Sequence, residues 1–194
     1  MNLPTKLTLS RIIMIPLFVA AYYITAIKGN FYISAGIFAL AAVTDFLDGY
    51  LARKYNQITD LGKFLDPIAD KVLVSTALIL LLVPPTGVVL MPWYASIFVA
   101  VILARELIVS GFRLVAAGKG KVISADKSGK IKTFFTDISI IVLLVSAEIS
   151  PVSEMNTINL IGFIMLGVSA LLTIVSGAEM LIKNAAVLKE DKKE

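Results

Sequence analysis

Six apolar stretches divide this sequence, and each is close to the roughly 20 residues a helix needs to cross a bilayer. They cover residues 12–26, 31 to about 46, 62–83, 95–115, 130–148 and 158–182. The breaks between them are rich in turn formers, such as Lys28-Gly29-Asn30 and Pro84-Pro85-Thr86-Gly87. A soluble domain of 194 residues could bury a core, but it would not gather its 58% hydrophobic content into such long uncharged runs. The pattern predicts one all-α domain over residues 1–194, an integral membrane bundle of six transmembrane helices. Residues 1–11 are expected to form a short interfacial segment, and residues 184–194 a solvated cytoplasmic tail. Trp93-Tyr94 forms an aromatic pair suited to the water–lipid boundary.

Charge gives the orientation. Of the eighteen Lys and Arg, only Lys28 falls in the connections opposite the N-terminus. The positive-inside bias therefore predicts both termini in the cytoplasm, and it accounts for most of the net charge of +4. The absence of Cys and His excludes disulfides, thiolate chemistry and a histidine base.

The stretch from Asp45 to Asp70 breaks the apolar monotony. Asp45, Asp48, Gly49, Ala52 and Arg53 are spaced i, i+3, i+4, i+7 and i+8, on one face of a helix. Gly62, Asp66 and Asp70 share one face of a second helix, with a polar turn at 56–60 between the two. If the helices pack together, four carboxylates meet at one place. Carboxylates crowded in a low dielectric repel one another, and divalent cations relieve this. Oxygen-only ligands suit Mg²⁺ or Mn²⁺, and two such ions form the clamp that phosphoryl transfer uses. Gly49 and Ala52 leave a groove on the carboxylate face, and Arg53 adds a planar cationic fork for phosphates.

The full spacing, D-x2-D-G-x2-A-R-x8-G-x3-D-x3-D, resembles the signature of the CDP-alcohol phosphotransferase family at every fixed position. That resemblance implies two divalent cations held by Asp45, Asp48, Asp66 and Asp70, with Asp70 also acting as general base. It implies donor contacts for CDP-diacylglycerol at Gly49, Ala52, Arg53, Thr59 and Gly62, with Thr5 and Thr8 reaching the nucleotide and Arg11 nearby. For Thr5, Thr8 and Arg11 a helix cap and a topogenic charge explain the residues equally well. A homodimer is also implied, for which Ser75, Ala77, Gly167 and Ser169 are small enough to line a helix interface.

A second constellation is basic. Arg105 and Arg113 lie eight residues apart on the fourth stretch, and Lys130, Lys132 and Thr133 open the fifth. Arg105 sits about two turns deeper than Arg113, where charge is costly and usually functional. These residues are candidates to hold the phosphate of a phosphorylated acceptor, while Glu106 is expected to be a structural partner. The segments A-R-E-L-I-V-S-G-F-R and S-G-K-I-K-T, with N-L-P-T-K-L-T-L-S-R near the start, resemble the bacterial branch whose acceptor is sn-glycerol-3-phosphate. Phosphatidylglycerol and inositol phosphate are the competing acceptors within the family. A small ion transporter is the rival from another class, but it does not explain small residues on the carboxylate face, or acids gathered at helix ends.

Overall fold

The computed structural model describes residues 3–54, 60–85, 90–121, 123, 127–149 and 157–185. Within its helices, residues 3–6, 46, 48–54, 60–64, 66–67 and 127–128 are described by their backbone only. The described residues form six α-helices and no strand: α1 (Leu3–Tyr23), α2 (Asn30–Lys54), α3 (Asp60–Leu82), α4 (Ala95–Gly118), α5 (Lys127–Ile149) and α6 (Thr157–Lys183). Helices α4 and α6 are long and apolar enough to cross a membrane, and α1 and α2 carry shorter apolar runs over Leu7–Tyr23 and Asn30–Asp45.

The bundle is built from two helical pairs, α1 with α2 and α5 with α6. Helix α2 packs on α5 to join them, α4 lies on α6, and α3 touches α1, α2, α4 and α5. A residue on α3 can therefore share a cavity with several other helices. The core runs through Phe18, Tyr22, Phe38, Leu73, Leu78 and Leu143, all buried. Close approach of α5 and α6 needs small residues. A Cβ on Gly162 would lie 2.9 Å from Leu143 Cγ, and Ser139 Oγ donates to Gly162 O at 2.7 Å. Buried hydroxyls find partners in the same seam: Thr136 and Ser169 share a hydrogen bond of 2.5 Å, and Ser169 also donates to Lys132 O.

Residues 3–11 form the first turns of α1. Pro4 sits in the opening turn, where a missing N–H costs nothing, so no residue there stops the helix. Ala77 and Ser169 are buried within the chain, so neither is free to line a contact with a second copy.

The end of the bundle away from the aspartates is tied by one acid. Gly29, at φ +86°, closes the turn after α1 in a conformation that favours glycine. Its N–H donates to Glu148 Oε1 at 2.9 Å, and the Phe31 N–H donates to Oε2 at 3.3 Å. Glu148 thus brings a carboxylate from α5 to the unpaired amides at the start of α2.

Candidate active site

Asp45 near the middle of α2 and Asp70 on α3 line a single cavity, together with Arg11 of α1 and Thr133 and Asp137 of α5. The two aspartates lie 25 residues apart, and the packing of α3 beside α2 brings them to one place. Arg11 is wholly buried, and its Nη1 lies 2.6 Å from Asp45 Oδ1. A cation fully withdrawn from water needs such a partner, which separates Arg11 from an ordinary topogenic charge. Thr8, one turn earlier, is buried as well. Asp48 and Asp66 occupy helical positions on α2 and α3; their side chains lie outside the described residues, as do those of Thr5, Gly49, Ala52, Arg53 and Gly62. Thr59 lies outside them altogether.

A second cavity adjoins the first, since Asp70 and Thr133 line both. Glu106, Lys132 and Thr136 are also on its wall. Here the charges are organised around Glu106. Lys132 Nζ and Arg105 Nη1 both reach Glu106 Oε1, the latter at 3.1 Å, and Arg105 Nη2 donates to Ser176 Oγ at 3.0 Å. One carboxylate of α4 thereby ties α5 directly and α6 through Arg105. Gly177 makes this possible, because a Cβ there would stand 2.9 Å from Arg105 Cγ.

The basic candidates divide. Lys132 is buried, whereas Lys130 is exposed and lines neither cavity. Two helical positions apart is a rotation of about 200°, so the two lysines face opposite ways. Arg113 is half-buried, beside a small cluster of Val109, Phe112, Ala116 and Met180, and its Nε makes no hydrogen bond. Asp137 was not among the candidates read from the sequence, yet it stands on the wall of the first cavity with a buried Oδ1 that has no hydrogen-bond partner among the described residues. An acid inside an otherwise apolar stretch is the signal that points to it.

Residues 1–175 match the CDP-alcohol phosphatidyltransferase family. Among curated proteins, a CDP-diacylglycerol–glycerol-3-phosphate 3-phosphatidyltransferase of Bacillus subtilis is 38% identical over 203 residues, covering 97% of each chain. Proteins of the same name from Rickettsia felis and Yersinia pestis are 37% and 36% identical, covering 91% and 89% of each chain.

Proposed function

Because this chain belongs to the CDP-alcohol phosphatidyltransferase family, we propose that it transfers the phosphatidyl group of CDP-diacylglycerol to sn-glycerol-3-phosphate. The products are phosphatidylglycerophosphate and CMP. The observation that carries this reading is the shared cavity of Asp45 and Asp70, inside a chain that resembles enzymes of that activity over nearly its whole length.

The donor set fits hard divalent cations: the acids facing the cavity offer oxygen only. Asp45, Asp48, Asp66 and Asp70 would hold two ions, Mg²⁺ or Mn²⁺. Among the described residues no three acids are close enough to share an ion, and the remaining ligands fall to Asp48 and Asp66. When bound, the ions supply neutralisation of the diphosphate and of the departing CMP.

The chain's own side chains do the rest. Gly49, Ala52 and Gly62 leave room for the nucleotide, while Arg53 and Thr59 bind its phosphates, with Thr5 and Thr8 close by. Arg11 holds the Asp45 carboxylate in place from α1. Lys132 and Thr133, backed by Arg105 and Arg113, hold the acceptor phosphate in the second cavity, and Lys130 guides the anion from the surface. Asp70, common to both cavities, takes the proton from the primary hydroxyl as it attacks the β-phosphorus.

Large apolar side chains stand exposed on every helix, among them Leu17, Leu40, Ile79, Leu107, Phe134 and Leu171. Such a surface suits six spans in lipid, with both termini and the aspartates on the cytoplasmic side, where the water-soluble substrates are found. The chain works as a homodimer in the bacterial cell membrane.

Membranes carrying the protein, given CDP-diacylglycerol, Mn²⁺ and labelled glycerol-3-phosphate, should move label into lipid; label left wholly in water would overturn the reading. Arg113→Ala is expected to raise the KM for glycerol-3-phosphate about tenfold and that for CDP-diacylglycerol less than about twofold. The reverse ratio would remove Arg113 from the acceptor pocket. Gly177→Ala pushes on Arg105 from α6, and should raise the same acceptor KM several-fold while costing only about 1 kcal/mol in stability. An unchanged KM would show that Arg105 works in neither position nor charge.

A further inference from the structure

We propose that Asp137 is a specificity residue for the acceptor: its carboxylate accepts a hydrogen bond from the acceptor hydroxyl that does not attack. This rests on the acceptor being a small phosphorylated polyol, as in the function proposed above.

Asp137 lies one helical turn beyond Thr133 on α5, so the two share a wall. Both line the cavity that also holds Asp45 and Asp70. Asp137 Oδ1 is buried and makes no hydrogen bond with the described residues. Such an atom lowers stability, and native folds rarely keep one without a use. Neighbouring groups do not supply the missing donor. Thr133 Oγ1 donates to Gly129 O, Thr136 Oγ1 is engaged with Lys132 O and Ser169, and Arg11 lies against Asp45.

The chemistry of the visitor follows by elimination. An ionised phosphate oxygen is itself an acceptor, so it does not supply the donor that Asp137 Oδ1 lacks. Among the described residues Asp45, Asp70 and Asp137 do not form a three-acid group that could hold one ion, which leaves Asp137 outside a cation shared with the other two. A neutral hydroxyl is left, as donor to Asp137 Oδ1. The placement suits a molecule charged at one end only. Lys132 and Thr133 lie on the second cavity, and Asp137 on the first, with Thr133 and Asp70 where they meet. With its phosphate beside Lys132 and its primary hydroxyl at Asp70, the C2 hydroxyl of glycerol-3-phosphate would face Asp137.

The test compares glycerol-3-phosphate with 3-hydroxypropyl phosphate, which lacks only that hydroxyl, using full-length protein in micelles containing CDP-diacylglycerol. The wild type should prefer glycerol-3-phosphate by about 10- to 100-fold in kcat/KM. In Asp137→Ala the preference should shrink to less than about twofold, through loss of rate with glycerol-3-phosphate alone. Asp137→Asn keeps an acceptor oxygen and should fall between. The KM for CDP-diacylglycerol should stay unchanged, and the thermal midpoint of Asp137→Ala should equal or exceed that of the wild type, because no bond is lost. A merely structural residue would lower the midpoint and leave the preference intact.

Several results would overturn the proposal: no preference in the wild type, equal losses with both acceptors, or an Asp137→Asn protein that discriminates like wild type while Asp137→Ala fails to fold. A raised KM for CDP-diacylglycerol would assign the hydrogen bond to the ribose of the donor, and a shifted half-saturating Mn²⁺ would assign Asp137 to the metal shell; either excludes the acceptor role. If the wild type incorporates neither acceptor, the proposed function itself fails, and this inference with it.

Discussion

Asp70→Ala should lower CMP release by about a thousandfold or more while the bundle stays folded. The expectation comes from where this carboxylate stands. It is on the wall of both cavities, where the proposed function places donor and acceptor. It makes no hydrogen bond or ion pair with the described residues, so its removal breaks no tie between helices. The loss should therefore appear in turnover and not in thermal unfolding. Asp45→Ala offers the contrast. It should abolish turnover equally, but it also removes one carboxylate from beside the wholly buried Arg11 cation. Because Asp45 is itself 41% exposed, we expect a cost on the order of 2 kcal/mol, below that of a fully buried pair. Near-normal CMP release from either variant in saturating Mn²⁺ would remove the aspartates from the chemistry.

The pairing of these aspartates was open to a reader of the sequence because it rests on two periodicities. Spacings of three and four fix a face within one helix, and the two helices that carry the acids follow one another closely in the chain. The number of helices was open for a similar reason, since long apolar runs punctuated by Gly and Pro leave few other folds. What stayed closed depends on contacts between distant segments. Nothing in N-L-P-T-K-L-T-L-S-R shows that Arg11 will be sealed against Asp45, because that burial requires α1 to lie along α2. Ala77 and Ser169 look suited to an interface between copies, but small residues serve helix contacts within a chain equally well, and here they do. Lys130 and Lys132 are a different case. Their opposite orientations follow from 100° per residue, and the pair could have been divided at once. Asp137 was legible too, as the only acid between Asp126 and Glu148 in an apolar helix.

Glu106→Ala should be among the most destabilising single changes in the half of the bundle that holds the aspartates, costing on the order of 3 kcal/mol. Glu106 Oε1 is the point where Lys132 of α5 and Arg105 of α4 converge, and Arg105 continues to Ser176 of α6. The side chains of Lys132 and Arg105 are only 8% and 14% exposed, so water screens them poorly once the carboxylate is gone. Two cations then face each other in a low dielectric, with Arg105 Nε already lacking a partner. Glu106→Gln should be milder, because the amide oxygen still accepts one hydrogen bond although its charge is lost. The same reasoning links stability to substrate. An anion entering between Arg105 and Lys132 would replace the missing charge, so glycerol-3-phosphate should raise the thermal midpoint of Glu106→Ala more than that of the wild type. Inorganic phosphate should do the same more weakly, while a neutral polyol such as glycerol should not. If Glu106→Ala unfolds like the wild type, the three side chains form a screened surface contact of little energy. If it is destabilised but no anion restores it, the basic pair braces the helices without meeting the acceptor. Rescue by phosphate compounds alone would show that a single carboxylate both joins three helices and keeps the acceptor site vacant until a phosphate displaces it from Lys132.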